Sequence, residues 1–581
     1  MLKNRVLHVV LGTFGGLAGW ALAEVLADRL DARAVLFLAV LAVVGLGGAL
    51  AMLAELGPRR AAIASVVLAP PVAALAVWGA MRFATVPDFF NSGHALLALV
   101  VLGAVPMPFA VARAQGGRWG WFDYAALFTH AWNGVVRIAS ATAFAGVVWV
   151  VLLLSSVLLD LVGVTQLGEA LRAPLTIWLL TGGALGLGLA VVAELADLLS
   201  PYLLLRLLRL LVPMVLAVVA VFVAVLPLRG LSELFGNISA AAVLMATAAG
   251  AVALISIAVD QGDDEAVSGW FLPECTRLLG VLVPILGGLA VWAVVQRVQQ
   301  YGWTPGRVAA AAGSGVSLGY GVLYALAVLS GDRWMERIRR ANLAMALVLI
   351  ALAAVWLTPL LNAEALSVNS QMTRLGAGQT SAEALPLWQM AHDWGLPGQG
   401  AITALRTRAA EPGHAALAAR LAALDGAQSR WQYELSSEAP DTTLERAAEV
   451  AVLPTGRTMP EGLWQALESS TRGLVLDGCA RATPDGRPGC LLVLADLIEP
   501  WPGDEALFLF GSGPIALVGE AQGYRREGEG WRAAGDLRLM GNAPGVKATE
   551  AIDRLHTDGV QPVPAGVFAL DIGGLRLLLR P

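Results

Sequence analysis

Lysine is nearly missing: the 581 residues hold two, Lys3 and Lys547. Neither follows glycine in a loop that would cradle phosphates, which excludes a Walker-type nucleotide hydrolase. Three cysteines and six histidines are almost as few. No H-E-x-x-H and no paired C-x-x-C occurs, so neither a built-in zinc site nor any other resident cofactor is expected. Charge is scarce too, at 14% of residues, where a soluble domain carries about 25%. Hydrophobic residues make up 57% instead, and mean hydropathy is +0.68. Those figures exclude a disordered tail, a collagen, a disulfide-dense miniprotein and an ordinary soluble enzyme. Nothing in the chain points to nucleic acid.

What is present divides in two. Residues 1–361 carry 21 basic and 18 acidic side chains, the remainder 18 and 26. The first part holds eleven apolar runs, each near the roughly 20 residues that cross a bilayer as a helix, since lipid offers backbone groups no partner. They are 6–24, 34–54, 61–81, 94–112, 138–159, 173–193, 210–228, 238–259, 278–296, 308–330 and 341–361. Pro70-Pro71 in the third and Pro106 with Pro108 in the fourth imply kinks. The fold expected is a polytopic α-helical membrane protein of about eleven spans followed by a soluble α+β C-terminal domain. Its parts are a multi-pass domain at 1–361, a helical connection at 362–430 and a mostly β domain at 431–581.

Basic residues in the short loops set orientation. With the N-terminus in the cytoplasm, inner segments hold 14 of them and outer loops 7. Eleven crossings then put 362–581 outside, in the periplasm of a bacterial inner-membrane protein. Lys3, Arg5, the apolar stretch and Ala21-Leu22-Ala23 also suit a cleaved leader. Ten spans starting outside would leave the C-terminal part outside as before. Cys479 and Cys490 flank a turn-rich stretch between the apolar runs Gly473–Leu476 and Leu491–Leu494. That reads as a hairpin stapled by a disulfide in an oxidising compartment, or as two unpaired thiols at a loop. Cys275 falls in an inner loop.

Beyond the last span, 383–425 reads as helices broken at Gly395-Leu396-Pro397-Gly398 and Glu411-Pro412-Gly413. From about 447 short apolar runs take over. Leu507–Phe510, Ile515–Val518, Leu537–Leu539, Val567–Leu570 and Leu575–Leu579 suit strands, with a hairpin turn at Arg525–Gly530.

Three stretches carry a family likeness. They are Tyr124-Ala-Ala-Leu-Phe128-Thr-His-Ala-Trp132 with the span ending Val148–Leu154, the loop Tyr301-Gly302-Trp303-Thr304-Pro305-Gly306-Arg307, and Ser367-Val368-Asn369-Ser370-Gln371-Met372-Thr373-Arg374-Leu375. Over about 120–405 the chain thereby resembles the bacterial integral-membrane DUF4153 family, a domain of unknown function. The resemblance implies a multi-pass inner-membrane protein and brings no activity, cofactor or catalytic residue.

Candidate functional residues sit where charge or aromatics meet the spans. Tyr301, Gly302, Thr304 and Arg307 form either an interfacial anchor with a helix cap or a binding element, onto which Asn369 and Arg374 are placed to dock. Glu194 and Asp197 share a helical face before Arg206 and Arg209, as a proton or cation relay or as helix-end carboxylates facing interfacial arginines. Arg137 follows the aromatic stretch Trp119–Trp132, which reads as an interfacial segment; with Arg113 and Arg118 it could meet lipid headgroups. His94 and His130, each a lone histidine, read as hydrogen-bonded packing residues rather than ligands, and Asp260, Asp263, Asp264 and Glu265 as a solvated inner loop. Gly12/Gly16, Gly15/Gly19 and Gly182/Gly186 have the spacing of close helix crossings. Gly315-Val316-Ser317-Leu318-Gly319 matches a hydrolase motif, yet no histidine follows Ser317 in any span, the next being His392.

These features suit, first, a non-enzymatic envelope protein whose outer domain binds or organises a protein or lipid partner. The alternative is a secondary transporter or lipid carrier built on Pro-broken helices and interfacial charges. A transferase acting on lipid-linked substrates would rest on loop aromatics and Arg307 alone.

Overall fold

A computed structural model describes residues 2–194, 201–229, 240–382, 384–437, 450–467, 469–497, 503–511, 521–528, 530–536, 548–560, 569–572 and 575–578. The chain forms two compact units, Met1–Leu405 and Arg406–Pro581. The division therefore falls inside the stretch expected as a connection, and 362–405 belongs with the apolar helices.

Helix α1 (Leu2–Trp20) runs on through a π-helical turn at Ala21–Leu26. Helix α2 (Ala32–Ala42) starts at Asp31, whose carboxylate caps it, and passes through a second π-helical turn, Val43–Gly47, into α3 (Gly48–Ala80). Pro70 and Pro71 lie within α3, and the break comes at Gly57 instead, with φ 72° and ψ 169°. Glycine adopts that backbone without a Cβ penalty, and Pro58 follows it. The chain doubles back there: a Cβ on Gly45 would lie 3.5 Å from that of Ala69, whereas one straight helix would hold the two residues about 36 Å apart. Among the described residues ten helices are long and apolar enough to cross a membrane, and Ala32–Ala80 is one of them. Counted as its two arms, it brings the passes to eleven. The first unit is that of a multi-pass helical membrane protein.

Then come α4 (Val86–Asn91), α5 (His94–Ala104) and α6 (Pro106–Gly116), the break between the last two falling before Pro106. A 3₁₀ turn at Gly117–Phe122 leads into α7 (Tyr124–Asp160). The aromatic stretch expected to lie apart along the interface is thus divided, and Tyr124–Trp132 forms the first turns of a long helix. Next are α8 (Gln166–Arg172), α9 (Pro174–Glu194), α10 (Pro201–Arg209), α11 (Val212–Arg229) and α12 (Ala240–Val259). The unit continues with α13 (Phe271–Tyr301), α14 (Pro305–Leu329), α15 (Trp334–Trp356), α16 (Ala363–Gly376) and α17 (Leu387–His392). Cys275 lies in α13 and is buried, not in a loop.

Two cores organise this unit. Leu279, Val283, Tyr324 and Ile338 centre one among α11 to α15. Ala76, Phe89, Leu99 and Leu357 centre the other, between α3, α4, α5 and the end of α15. Helix α1 packs closely on α9 where glycines face the partner backbone. A Cβ on Gly12 would collide with the Gly182 carbonyl, one on Gly16 with that of Trp178, and one on Gly186 with that of His8. Gly15, in contrast, has nothing within 4 Å of its would-be Cβ.

Helix α18 (Gly395–Ala409) carries the chain into the second unit, which adds α19 (Ala415–Gly426) and α20 (Arg430–Ser437). A five-stranded sheet follows in the order β1 (Ala451–Leu453), β2 (Cys490–Ala495), β3 (Glu505–Phe510), β4 (Ala521–Glu527), β5 (Gly530–Asp536), parallel between β1 and β2 and antiparallel elsewhere. Between β1 and β2 stand α21 (Leu463–Ala466) and α22 (Ser469–Cys479), and α23 (Ala548–Asp558) follows β5. Strand β2 is buried on both faces. Leu492 and Leu494 meet Trp464, Val475 and Phe508, while Leu491 and Val493 meet Leu509 and Ile552. A hairpin of β6 (Ala569–Ile572) and β7 (Leu575–Leu578) comes last.

Cys479 and Cys490 are joined by a disulfide, which connects the end of α22 to the start of β2. The run Gly473–Leu476 is therefore helix, not the first arm of a hairpin; four apolar residues fit either state. The Arg525–Gly530 stretch contains the β4–β5 turn, but its first three residues are strand. The expected strands Ile515–Val518 and Leu537–Leu539 and the first two residues of Val567–Leu570 lie outside the described residues.

Candidate functional site

Trp149 Nε1 donates to Thr181 Oγ1 at 3.1 Å between α7 and α9, and two further sets of long-range polar contacts lie at the ends of helices. In one, Arg5 Nε donates to Glu194 Oε2 at 2.7 Å. Glu55 holds His130 Nδ1 at 2.6 Å and Arg137 Nη1 at 2.8 Å on its two oxygens, and Thr129 donates to Gln261 at 2.6 Å. In the other, Arg33 meets the Phe83 carbonyl, Arg82 reaches α15 and α16, and α16 grips the turn after α13. No described hydrogen bond joins one set to the other.

The Arg5 end contains a buried charge cluster that the sequence places in solvent. Asp260 closes α12 at φ 53° and is 2% exposed. Arg209 Nη2 donates to its carboxylate, Nε to the Ile257 carbonyl at 3.0 Å and Nη1 to that of Glu265 at 2.7 Å. Arg339 gives Nη2 to the Val259 carbonyl at 2.9 Å and Nε to that of Asp260 at 3.2 Å, and pairs with the exposed Asp263 at 2.7 Å. Two guanidiniums thus occupy the carbonyls that a helix C-terminus leaves unpaired, and their charge suits its dipole. Beside them Asn342 joins Tyr124 (2.9 Å), Ser256 (3.2 Å) and the buried Tyr324 into one hydrogen-bonded group.

At the other end Glu364 is 1% exposed and sits between Arg82 Nη1 at 3.4 Å and His94 Nε2 at 3.5 Å. Arg82 also donates to the carbonyls of Trp356 and Leu361, at 2.5 and 3.3 Å. Burial lowers the Arg82 pKa, and the Glu364 charge opposes that shift. Trp356 Nε1 donates to His94 Nδ1 at 3.1 Å. An indole N–H only donates, so Nδ1 is unprotonated and the imidazole proton is on Nε2, facing Glu364. His94 is thus hydrogen-bonded, as the sequence suggests, and it also belongs to a charged cluster with Glu364 and Arg82.

The turn Tyr301–Arg307 is built as the sequence suggests and held by Arg374, which the sequence places there, and by Ser370 and Gln371, which it does not single out. Gly302 has φ 74°, and a Cβ there would strike Arg374 and Gln371 at 2.8 Å. Thr304 caps α14 by accepting from the Arg307 amide. Gln371 Nε2 donates to the carbonyls of Tyr301 (2.9 Å) and Trp303 (3.1 Å), and Ser370 Oγ accepts from the Trp303 amide. Arg374 covers the carbonyls of Gln299 and Gln300. Asn369 is exposed and makes none of these contacts. Glu194 meets Arg5 rather than Arg206 or Arg209, and Arg137 meets Glu55; Asp197 lies outside the described residues. Ser317 donates to its own helix at Gly313.

Three apolar clefts border α2 and its π-helical turn. One of about 920 Å³ lies among Leu7, Phe14, Leu22, Leu38, Leu46 and Pro70. A second of about 680 Å³ is lined by Val35, Val43, Val86, Phe90, Leu99 and Met107. A third of about 470 Å³ lies over Gly15, Gly19, Ala42, Leu46 and Trp178. Among the described residues no ionisable side chain lines any of the three.

No family model, curated protein or solved structure matches the chain.

Of the residues missed by sequence reading, Glu55, Arg82, Asn342 and Glu364 are isolated polar groups in or beside apolar stretches, whereas Ser370 and Gln371 lie within the polar run Asn369–Gln371. Isolation is the signal that would have found the first four, because an unpaired polar group at membrane depth is costly.

Proposed function

We propose that the chain is a bacterial inner-membrane protein of the DUF4153 kind that takes membrane lipid into the clefts around α2 and holds or passes it. The three clefts carry this reading. Their volumes fall in or near the roughly 300–1,000 Å³ range of ligand sites, and linings without charge suit acyl chains alone. Both π-helical turns line them, and such turns recur at functional sites. The clefts raise the lipid carrier above the partner-binding protein that the sequence favours. A double substitution, Ala39→Phe with Ala42→Phe, fills all three, since these side chains line them between them. Native mass spectrometry after detergent exchange is expected to find several-fold fewer retained phospholipids in that variant; an unchanged lipid count in a monodisperse variant would overturn the reading.

Residues 406–581 are assigned to the periplasmic side, where an envelope partner would meet them. The basic-residue bias and the disulfide between Cys479 and Cys490 support this, because thiols stay reduced in the cytosol. Buried Cys275 is a poor topology reporter, so an exposed one, Ser268→Cys, is introduced with Cys275→Ala. In cells with a permeabilised outer membrane, an impermeant maleimide is expected to label Cys479 and Cys490 only after reduction. The cysteine at 268 should react only once the inner membrane is opened. The reverse pattern would invert the topology.

A further inference from the structure

Arg297, Arg307 and Arg374 converge on the turn after α13 without a counter-charge. The Arg297 and Arg307 guanidiniums lie 5.8 and 5.4 Å from the Tyr301 ring centroid. Arg307 Nη1 donates to the Gly302 carbonyl at 2.7 Å, and the Arg374 side chain passes against Gly302 on its way to the end of α13. Both Arg297 and Arg374 are close enough to repel Arg307. Among the described residues no carboxylate pairs with any of the three. The sequence offers little: 275–331 and 365–382 contain no Asp or Glu, and Glu364 is committed to Arg82 and His94.

A structural role accounts for part of this charge. The carbonyl end of a helix carries roughly half an elementary negative charge, and an aromatic face adds a weak attraction for each cation. Three guanidiniums exceed that by about two and a half charges. Repulsion between them is relieved by an anion, and the guanidinium fork fits phosphate oxygens two at a time. Helix α14 begins at this point and turns the positive end of its own dipole to the same place.

We propose that Arg297, Arg307 and Arg374, with Tyr301, form a phosphate-binding site at the bundle end shared with Trp356 and Glu364. The shared chemistry is a phosphate group, whether a lipid headgroup or a free anion. None of the three arginines lines the three clefts around α2, so the site does not rest on the lipid-carrier reading.

The test uses the full chain purified in detergent. Inorganic phosphate and pyrophosphate are titrated calorimetrically, and nanodiscs containing phosphatidylglycerol are compared with phosphatidylcholine ones for bound lipid. Arg297→Gln with Arg307→Gln is expected to weaken binding at least tenfold, while Arg333→Gln, an exposed arginine at the other end, leaves it within twofold. The Lys counterparts at 297 and 307 should lie between, since a point charge remains without the fork, and they serve if the Gln pair does not fold. Binding of phosphate alone identifies a free anion, and retention of phosphatidylglycerol alone identifies a headgroup. Absence of both, or equal loss in Arg333→Gln, overturns the proposal. Ala39→Phe with Ala42→Phe should leave this affinity unchanged whatever it does to acyl-chain retention.

Discussion

Arg209→Leu is expected to destabilise the protein by about 3–5 kcal/mol, the usual cost of stranding a buried charge. Asp260 is 2% exposed, and Arg209 is the side chain that ion-pairs with it. The same substitution strips donors from the carbonyls of Ile257 and Glu265, near the end of α12. The complementary change is milder. In Asp260→Asn the guanidinium keeps both carbonyl acceptors, so the loss should stay near 1–3 kcal/mol, the cost of one impaired buried polar interaction. Removing both charges, as Arg209→Leu with Asp260→Leu, is expected to recover part of the single-variant loss, because an apolar pair leaves no stranded charge. Thermal unfolding of the purified variants in detergent gives the order. An Asp260→Asn variant less stable than Arg209→Leu would mean that Asp260, not the arginine, organises the end of α12.

That cluster also marks the limit of the sequence. Four acids within Asp260–Glu265 look solvated because local composition is all a single chain displays. What turns Asp260 inward is a left-handed backbone and two arginines, one 51 residues before it and one 79 after. The Glu55–Arg137 pair, 82 residues apart, was hidden for the same reason. The spans were legible since crossing a bilayer depends on run length, a local property. Even the reversal at Gly57 shows as a gap between two apolar runs. The second unit was harder: β4 and β5 carry Ala-Gln-Gly-Tyr-Arg-Arg-Glu and Gly-Trp-Arg-Ala-Ala-Gly-Asp, with no clean alternation to mark them. Around Tyr301 the docking segment could be named from the sequence, but not the phase of its helix. Ser370, Gln371 and Arg374 face the turn and Asn369 does not.

The glycines of α1 turn the same ambiguity into a measurement. Gly12/Gly16 and Gly15/Gly19 have identical spacing, yet Gly12 would drive a Cβ into backbone of α9, while Gly15 faces open space over the 470 Å³ cleft. Backbone cannot step aside by changing rotamer, so Gly12→Leu or Gly182→Leu must part the helices. The expected loss is at the upper end of the about 1–3 kcal/mol typical of overpacking. Gly15→Leu should stay within about 0.5 kcal/mol of the parent, as surface changes do. A cysteine pair reports the geometry directly: a Cβ on Gly183 would lie 3.1 Å from Thr13 Oγ1, so Thr13→Cys with Gly183→Cys should crosslink under mild oxidation. Adding Gly182→Leu should abolish that crosslink, and adding Gly15→Leu should preserve it. Gly15→Leu also fills part of a cleft without disturbing the crossing, so a stable, crosslinking protein that has lost lipid would separate the cleft's role from the fold's. Equal sensitivity at Gly12 and Gly15 would mean that α1 does not meet α9 through this face.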